Sequence, residues 1–355
     1  MKLKPIISDE MATVNSGVSE KVTLALFGVG RIGSVHLKSI ARHLRIHLKY
    51  LVEEAVDIAK KALNDVGLEH VSIVNFKGVS QVLEDKSVQG VVVCTPTSTH
   101  QKVVTQALRA GKAVFCEKPV AHNSEAADEC YKVAEECKLP LLCAFHKRFD
   151  PTFGPIIKRS RDGEIGQIRY IKTTLRDTMD PSFPGLSTLG GCFLDLALHD
   201  VDLACACIGE FPTTVSGDGH AFAKDIEKNK DFDQAIANLK FPSGALATIE
   251  MSRFCNYGYD QRLEVFGIEG MLSGSNVHDN HVVAFNSSGT SQPKLQASFP
   301  ERYLESYYNE MDHFVKVIQG KEKLCISRID AVAAIKIVEA CEKAAKTKTI
   351  IDLTW

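Results

Sequence analysis

Between residues 22 and 145 the chain alternates short apolar runs with segments whose apolar residues recur at helical spacing. Val22–Phe27 predicts a buried strand, and Leu37, Ile40, Ala41 and Leu44 fall on one face of the helix that follows. Ile46–Val52 predicts a second strand and Val56–Leu63 part of a helix. Gly90–Cys94 is a third apolar run, and the next helix carries Val103, Val104, Ala107 and Leu108 until Gly111 stops it. Ala113–Cys116 and Pro140–Phe145 predict further strands, with Asn123 capping the helix between them. Helices alternating with wholly apolar strands predict a parallel sheet covered on both faces.

The pattern changes after Asp150-Pro151, itself a helix start with a cap residue and a proline at the first position. Longer strands follow at Ile168–Leu175, Ile236–Phe241 and Ala245–Met251, the last two joined by the turn Pro242-Ser243-Gly244. They suit an antiparallel or mixed sheet with one wet face. Two late helices carry Met311, Phe314, Val315 and Ile318, then Val332, Ile335 and Val338. The organisation expected is a loose extension over 1–20, an α/β domain with a doubly wound parallel sheet over 21–145, and an α+β domain over 146–355.

Composition adds exclusions. The 355 residues are 45% hydrophobic and 24% charged, enough for two cores. A formal charge of −2 gives no reason to expect nucleic acid or an anionic membrane as partner. No stretch approaches the ~18 apolar residues of a transmembrane helix, and the first twenty residues lack the apolar core of a signal peptide. The eleven cysteines form no CxxC pair and read as reduced, buried thiols, so neither disulfides nor a metal centre are expected and the setting is cytoplasmic.

Gly28-Val29-Gly30-Arg31-Ile32-Gly33 is a GxGxxG directly after an apolar strand and opening a helix. In that context the first glycine makes a tight turn, the second lets the backbone approach a pyrophosphate, and the third permits helix–strand packing; the phosphates sit on the helix N-terminus. Glu53 lies twenty residues after Gly33 at the end of the second strand, where a carboxylate binds ribose hydroxyls and repels a 2′-phosphate. NAD is therefore expected rather than NADP, although Arg31 could reach a phosphate.

Glu117-Lys118-Pro119 ends a buried strand, so Lys118 stands at a carboxyl edge of the sheet. Farther on, Asp195, His199 and Asp202 are spaced i, i+4, i+7 within an otherwise apolar loop–helix segment beginning at Gly190-Gly191. Ionisable groups there need partners or a function to offset their desolvation. A histidine is a natural proton acceptor for an alcohol, and a nearby lysine stabilises the forming alkoxide.

With these residues assembled, the chain resembles the glucose-fructose oxidoreductase/inositol dehydrogenase superfamily (Gfo/Idh/MocA) from about Val22 to Leu353. The matching elements are Gly28–Gly33, Cys94-Thr95-Pro96-Thr97 with His100, Glu117-Lys118-Pro119, Arg148-Phe149-Asp150-Pro151 and Arg176-Asp177. Gly190-Gly191 through Asp195, His199 and Asp202, Tyr257–Arg262 and Glu301-Arg302-Tyr303 complete the set. The resemblance implies a Rossmann domain followed by a large open, mostly antiparallel sheet whose outer face serves a homo-oligomer, dimer or tetramer. It implies a catalytic set of Lys118, Asp195 and His199. Cofactor contacts are implied at Gly28, Gly30, Arg31, Ile32, Gly33, Glu53, Thr95, Pro96, His100, Glu117 and Lys118. Substrate contacts are implied at Lys118, His146, Lys147, Asp177, Asp195, His199, Asp202 and Tyr257. Where the family often has Asn or Met and then Arg, this chain has His146 and Lys147; Glu53 replaces a more usual Asp, and Cys205 replaces an Arg. The expected activity is NAD-dependent oxidation of a cyclitol ring hydroxyl to a ketone. The alternatives are a dehydrogenase or reductase of another sugar or diol, and a non-catalytic dinucleotide-sensing regulator.

Overall fold

A computed structural model of the protein describes residues 21–178 and 190–355. The expected extension over 1–20 lies outside the described residues. The apolar runs of the first half become β1 (Val22–Phe27), β2 (Ile46–Val52), β3 (Ser72–Val74), β4 (Gly90–Val93), β5 (Ala113–Cys116) and β6 (Leu141–Cys143). They pair in parallel in the order β3-β2-β1-β4-β5-β6, the doubly wound order. All residues of β4 and β5 are buried, as strands covered on both faces require. The intervening helices are α1 (Arg31–Arg42), α2 (Val56–Asn64), α3 (Val79–Glu84), α4 (Thr97–Arg109) and α5 (Ser124–Cys137). Asn123 caps α5 as expected, its Oδ1 accepting from Ala126 N at 2.7 Å. One expected position differs: α1 ends at Arg42, so Leu44 is off the helix and 85% exposed. The chain leaves the helix at His43, whose side chain is buried against Asp312.

After α6 (Phe153–Arg161) and β7 (Ile168–Arg176), one wide π-helical turn, Phe193–Ala197, runs straight into α7 (Leu198–Ile208). Then come β8 (Thr214–His220), α8 (Lys224–Lys228), β9 (Gln234–Lys240), β10 (Leu246–Ser252), β11 (Asp260–Gly267), β12 (Met271–Gly274), the small ribbon β13 (Ala284–Asn286) and β14 (Gly289–Ser291), α9 (Phe299–Arg302), α10 (Leu304–Ile318), α11 (Arg328–Thr347) and β15 (Ile351–Asp352). The second sheet is ordered β12-β11-β7-β10-β9-β8-β15 and is antiparallel except where β10 pairs with β7. Its strands alternate as expected: Ala235, Ala237 and Leu239 of β9 are buried while Ile236 and Lys240 face outward.

The two halves share core. Helix α10 returns to the first sheet, where Phe314 meets Phe115 edge-on at 5.7 Å between ring centroids. Asp312 holds His43 and Arg45 on the same seam. Each such aromatic contributes about 1.5–3 kcal/mol by burial. No helix among the described residues is long and apolar enough to cross a membrane.

Candidate functional site

The loops after β1, β4 and β5 leave the sheet at its carboxyl edge, where strand order reverses between β1 and β4 and ligands bind in such folds. They border a cavity of about 1020 Å³, at the upper end of the ~300–1,000 Å³ usual for small-molecule sites. Gly28 has φ +86, and a Cβ there would lie 2.8 Å from Cys94 O. A Cβ at Gly33 would stand 2.2 Å from Gly28 O, so Gly33 fixes the packing of α1 and is not part of the cavity wall. At Gly30, by contrast, no atom lies within 4 Å of a Cβ position, leaving the backbone at the start of α1 open to the cavity.

Glu53 directly follows β2 with its carboxylate on this loop, accepting from Val29 N and Ala55 N, both at 3.1 Å. Arg31 lies over the Phe299 ring at 4.9 Å, and Ile32, Thr95 and Pro96 line the same cavity. His100 is buried and spans from Pro119 O to Thr95 O, at 2.8 and 2.7 Å, tying the β4 loop to the β5 loop. An open backbone at a helix N-terminus, a carboxylate at the end of β2 and a cavity of this size fit a dinucleotide.

At the other end of the cavity the two halves meet. Lys118 Nζ donates to Asp195 O at 2.7 Å and to Asp195 Oδ1 at 3.2 Å. The second carboxylate oxygen accepts from Arg253 Nη1 at 3.0 Å. Burial pushes the Asp195 carboxyl upward, but the charges of Lys118 and Arg253 outweigh it and hold the group below its ordinary value. One turn along, His199 lines the cavity with Nδ1 buried and unpartnered. Burial, and then the neighbouring His146, Lys118 and Lys147, lower its pKa well below that of a free imidazole. It is a neutral base at neutral pH. His146 packs edge-on against it at 4.3 Å and has its own Nε2 buried without a partner. Asp177, at the end of β7, also lines the cavity, its carboxyl raised by burial.

Other expected contacts are placed elsewhere or already engaged. Lys147 reaches the wall, but its ammonium is bonded to the buried Asp200 at 2.7 Å. Asp202 does not border the cavity: both its oxygens accept from Arg148, at 2.8 and 2.6 Å. The spacing from Asp195 suggested a shared face, but seven residues also carry Asp202 about 10 Å along the axis, past the cavity and onto Arg148. Tyr257 is half exposed and lies in a separate hollow beside β7 and β10, bonded to Asp260 and Arg176. Glu117 borders the cavity, its oxygens taken by His36 and by the Lys118 amide. Sequence reasoning missed Arg253, fully buried behind Asp195, and the aromatic wall of Phe76, Tyr259, Phe299 and Tyr307. The available signal for Arg253 was its place directly after the apolar strand Ala245–Met251 and Ser252.

Comparison with known proteins agrees with this geometry. Residues 22–145 match the oxidoreductase family with an NAD-binding Rossmann fold, and residues 156–273 match the GFO/IDH/MocA C-terminal domain. The chain is 32% identical over 333 residues to inositol 2-dehydrogenase of Rhizobium meliloti, covering 94% of this chain and 99% of that one. It is 30% identical to scyllo-inositol 2-dehydrogenase (NAD(+)) of Bacillus subtilis, covering 90% and 93%. The crystal structure of a myo-inositol dehydrogenase from Corynebacterium glutamicum superposes with a TM-score of 0.86 at 30% identity, covering 94% of this chain and 99% of that one. The chain belongs to the GFO/IDH/MocA oxidoreductase family.

Proposed function

We propose that this protein oxidises a ring hydroxyl of a cyclitol, myo-inositol foremost, to a ketone with NAD⁺ as acceptor. The observation that carries the reading is the meeting of Lys118, Asp195 and His199 at the end of a cavity whose other end fits a dinucleotide. Gly28, Gly30 and the start of α1 hold the pyrophosphate, and Glu53 binds the ribose and disfavours a 2′-phosphate. Arg31, Ile32, Thr95, Pro96, His100 and Glu117 complete that wall. NAD⁺ supplies the hydride acceptor when bound.

His199 takes the hydroxyl proton at Nε2, since Nδ1 is buried away from the cavity. Lys118 places an ammonium beside the same oxygen, where it stabilises negative charge as it develops. Asp195, clamped by Arg253, fixes the direction of Lys118. His146, Asp177 and the remaining donors of Lys147 face the other ring hydroxyls. Asp202 and Tyr257 have no place in this scheme. A second copy of the chain is the proposed partner for the open sheet face. There Met271 pairs with Phe266, Phe266 with Tyr170 and Tyr170 with Leu246, making an apolar row across four strands.

The test is absorbance of reduced nicotinamide across inositol isomers, aldoses and diols with NAD⁺ and, separately, NADP⁺. Reduction of NAD⁺ by myo- or scyllo-inositol is the expected result. Reduction by an aldose or diol alone discards the cyclitol, and silence with NAD bound moves weight to the regulator. His199→Ala should lower turnover at least about 100-fold, as loss of a general base does, while NAD affinity holds. Near-normal turnover in that variant refutes the assignment of the base.

A further inference from the structure

Behind the cofactor wall, α1, β5 and α10 each send one ionisable side chain to the same closed point. His36 from α1, Glu117 at the end of β5 and Glu310 from α10 are all buried, with one ligating atom from each within 4.8 Å of the others. Two of the three bond each other, with His36 Nδ1 left buried and without a partner. Glu117 bonds His36 Nε2 at 2.6 Å through one oxygen and accepts the Lys118 backbone N–H at 3.0 Å through the other. Glu310 is fully buried, yet neither of its oxygens has a hydrogen-bond partner.

An ionised carboxylate in that position would be desolvated, unpaired and next to a second carboxylate. Two species relieve it: a cation or a proton. A cation fits poorly. Two ligands of one tetrahedral zinc, each about 2.1 Å from it, stand roughly 3.4 Å apart, whereas His36 and Glu117 are already in direct contact at 2.6 Å. A proton removes the charge itself, and a neutral carboxylic acid can donate to a carboxylate beside it.

We propose that Glu310 is a buried, protonated carboxylic acid whose O–H donates to Glu117, and that this bond fixes Glu117 beneath the Lys118 backbone. Glu310 is then a positioning residue, acting on Lys118 through Glu117; this part rests on the catalytic role proposed for Lys118. Burial, and after it the charge of Glu117, pushes the Glu310 carboxyl well above the usual range. The titratable groups around it are Glu117 after β5, His36 from α1, the Tyr307 phenol of α10, and the thiols of Cys94, Cys143 and Cys325. The phenol and the thiols are neutral, their pKa values raised by burial.

Glu310→Gln separates the possibilities, because an amide mimics the protonated acid and not the carboxylate. A native carboxyl that stays protonated where the unfolded one ionises loses stability as pH rises from the unfolded value, about 4.3, through its native pKa. The wild type should therefore fall behind Glu310→Gln as pH climbs from 5 to 8, the variant melting about 2 °C or more higher at pH 8. This arm needs no substrate and stands even if the cyclitol reading fails. In turnover, Glu310→Leu should lower kcat about tenfold or more with KM little changed, and Glu310→Gln should restore it to within about threefold. The proposal is overturned if Glu310→Gln melts below wild type across the range. It is also overturned if elemental analysis finds one metal per chain that the variant loses, or if Gln fails to rescue what Leu removes.

Discussion

Replacing Arg253 by Met removes a fully buried cation and leaves a side chain of similar volume. In the native protein its guanidinium lies 3.0 Å from Asp195 Oδ2 and 3.6 Å from Asp231 Oδ2. Breaking a buried ion pair from one side costs about 3–5 kcal/mol, chiefly through the charge left behind. Asp195 keeps Lys118, and the Asp195 and Asp231 side chains are 14% and 17% exposed, so the lower end, about 3 kcal/mol, applies. At about 2–4 °C per kcal/mol, the melting temperature should fall by about 6–12 °C. Turnover should fall about 10- to 100-fold as Asp195 loses its rear support and Lys118 its fixed direction. The decisive measurement is a double-mutant cycle by thermal unfolding with Arg253→Met, Asp195→Asn and the pair. Removing the stranded charge should make the double variant more stable than Arg253→Met alone, while its turnover stays low. Strictly additive losses, or an Arg253→Met melting temperature within about 2 °C of wild type, would refute the coupling.

Other consequences are measured more simply. Gly33→Ala places a methyl 2.2 Å from Gly28 O, so NADH titration should show affinity at least about tenfold weaker, and equal affinity would contradict the role given to this glycine. Because burial holds His199 neutral, kcat/KM should stay level as pH drops from 8 to 6.5 and decline only below that, whereas an inflection above 7 would argue for another base. The same burial lowers the pKa of His146, so stability present above the unfolded value of about 6.5 should be lost as pH falls beneath it, read by thermal melts of wild type against His146→Asn. Lys147→Met strands the buried Asp200 and should cost about 3 kcal/mol in denaturant unfolding, with Asp200→Asn recovering part of it.

Local features were the legible ones. The glycine loop is readable because each glycine answers a steric demand within a few residues, and β4 and β5 because strands buried on both faces must be apolar throughout. Lys118 was placed by the proline behind it and by the strand before it. Asp195 and His199 stood out as charges in an apolar helix, and the structure brings both to Lys118. Asp202 followed the same reasoning and went astray, since its partner Arg148 lies 54 residues earlier and spacing along one helix carries no record of it. Tyr257 was carried over from resemblance alone, and its hydroxyl turns to Arg176 and Asp260. Arg253 showed only its place after an apolar strand, because a buried arginine is explained by its partner, and Asp195 is 58 positions away. Leu44 obeyed the helical period after the helix had ended, because periodicity does not mark where His43 breaks away to meet Asp312.

The return of α10 to the first sheet sets an order of events during synthesis. When the ribosome has released residue 145, all six strands of that sheet have been made, but Phe314, which packs on Phe115, is still about 170 codons away. At about 5–20 residues per second that interval is roughly 10–30 seconds, during which the nascent nucleotide-binding half has an uncovered apolar flank. The chain cannot finish its first domain until it has nearly finished its second, and a nascent chain truncated between them is a natural client for a chaperone.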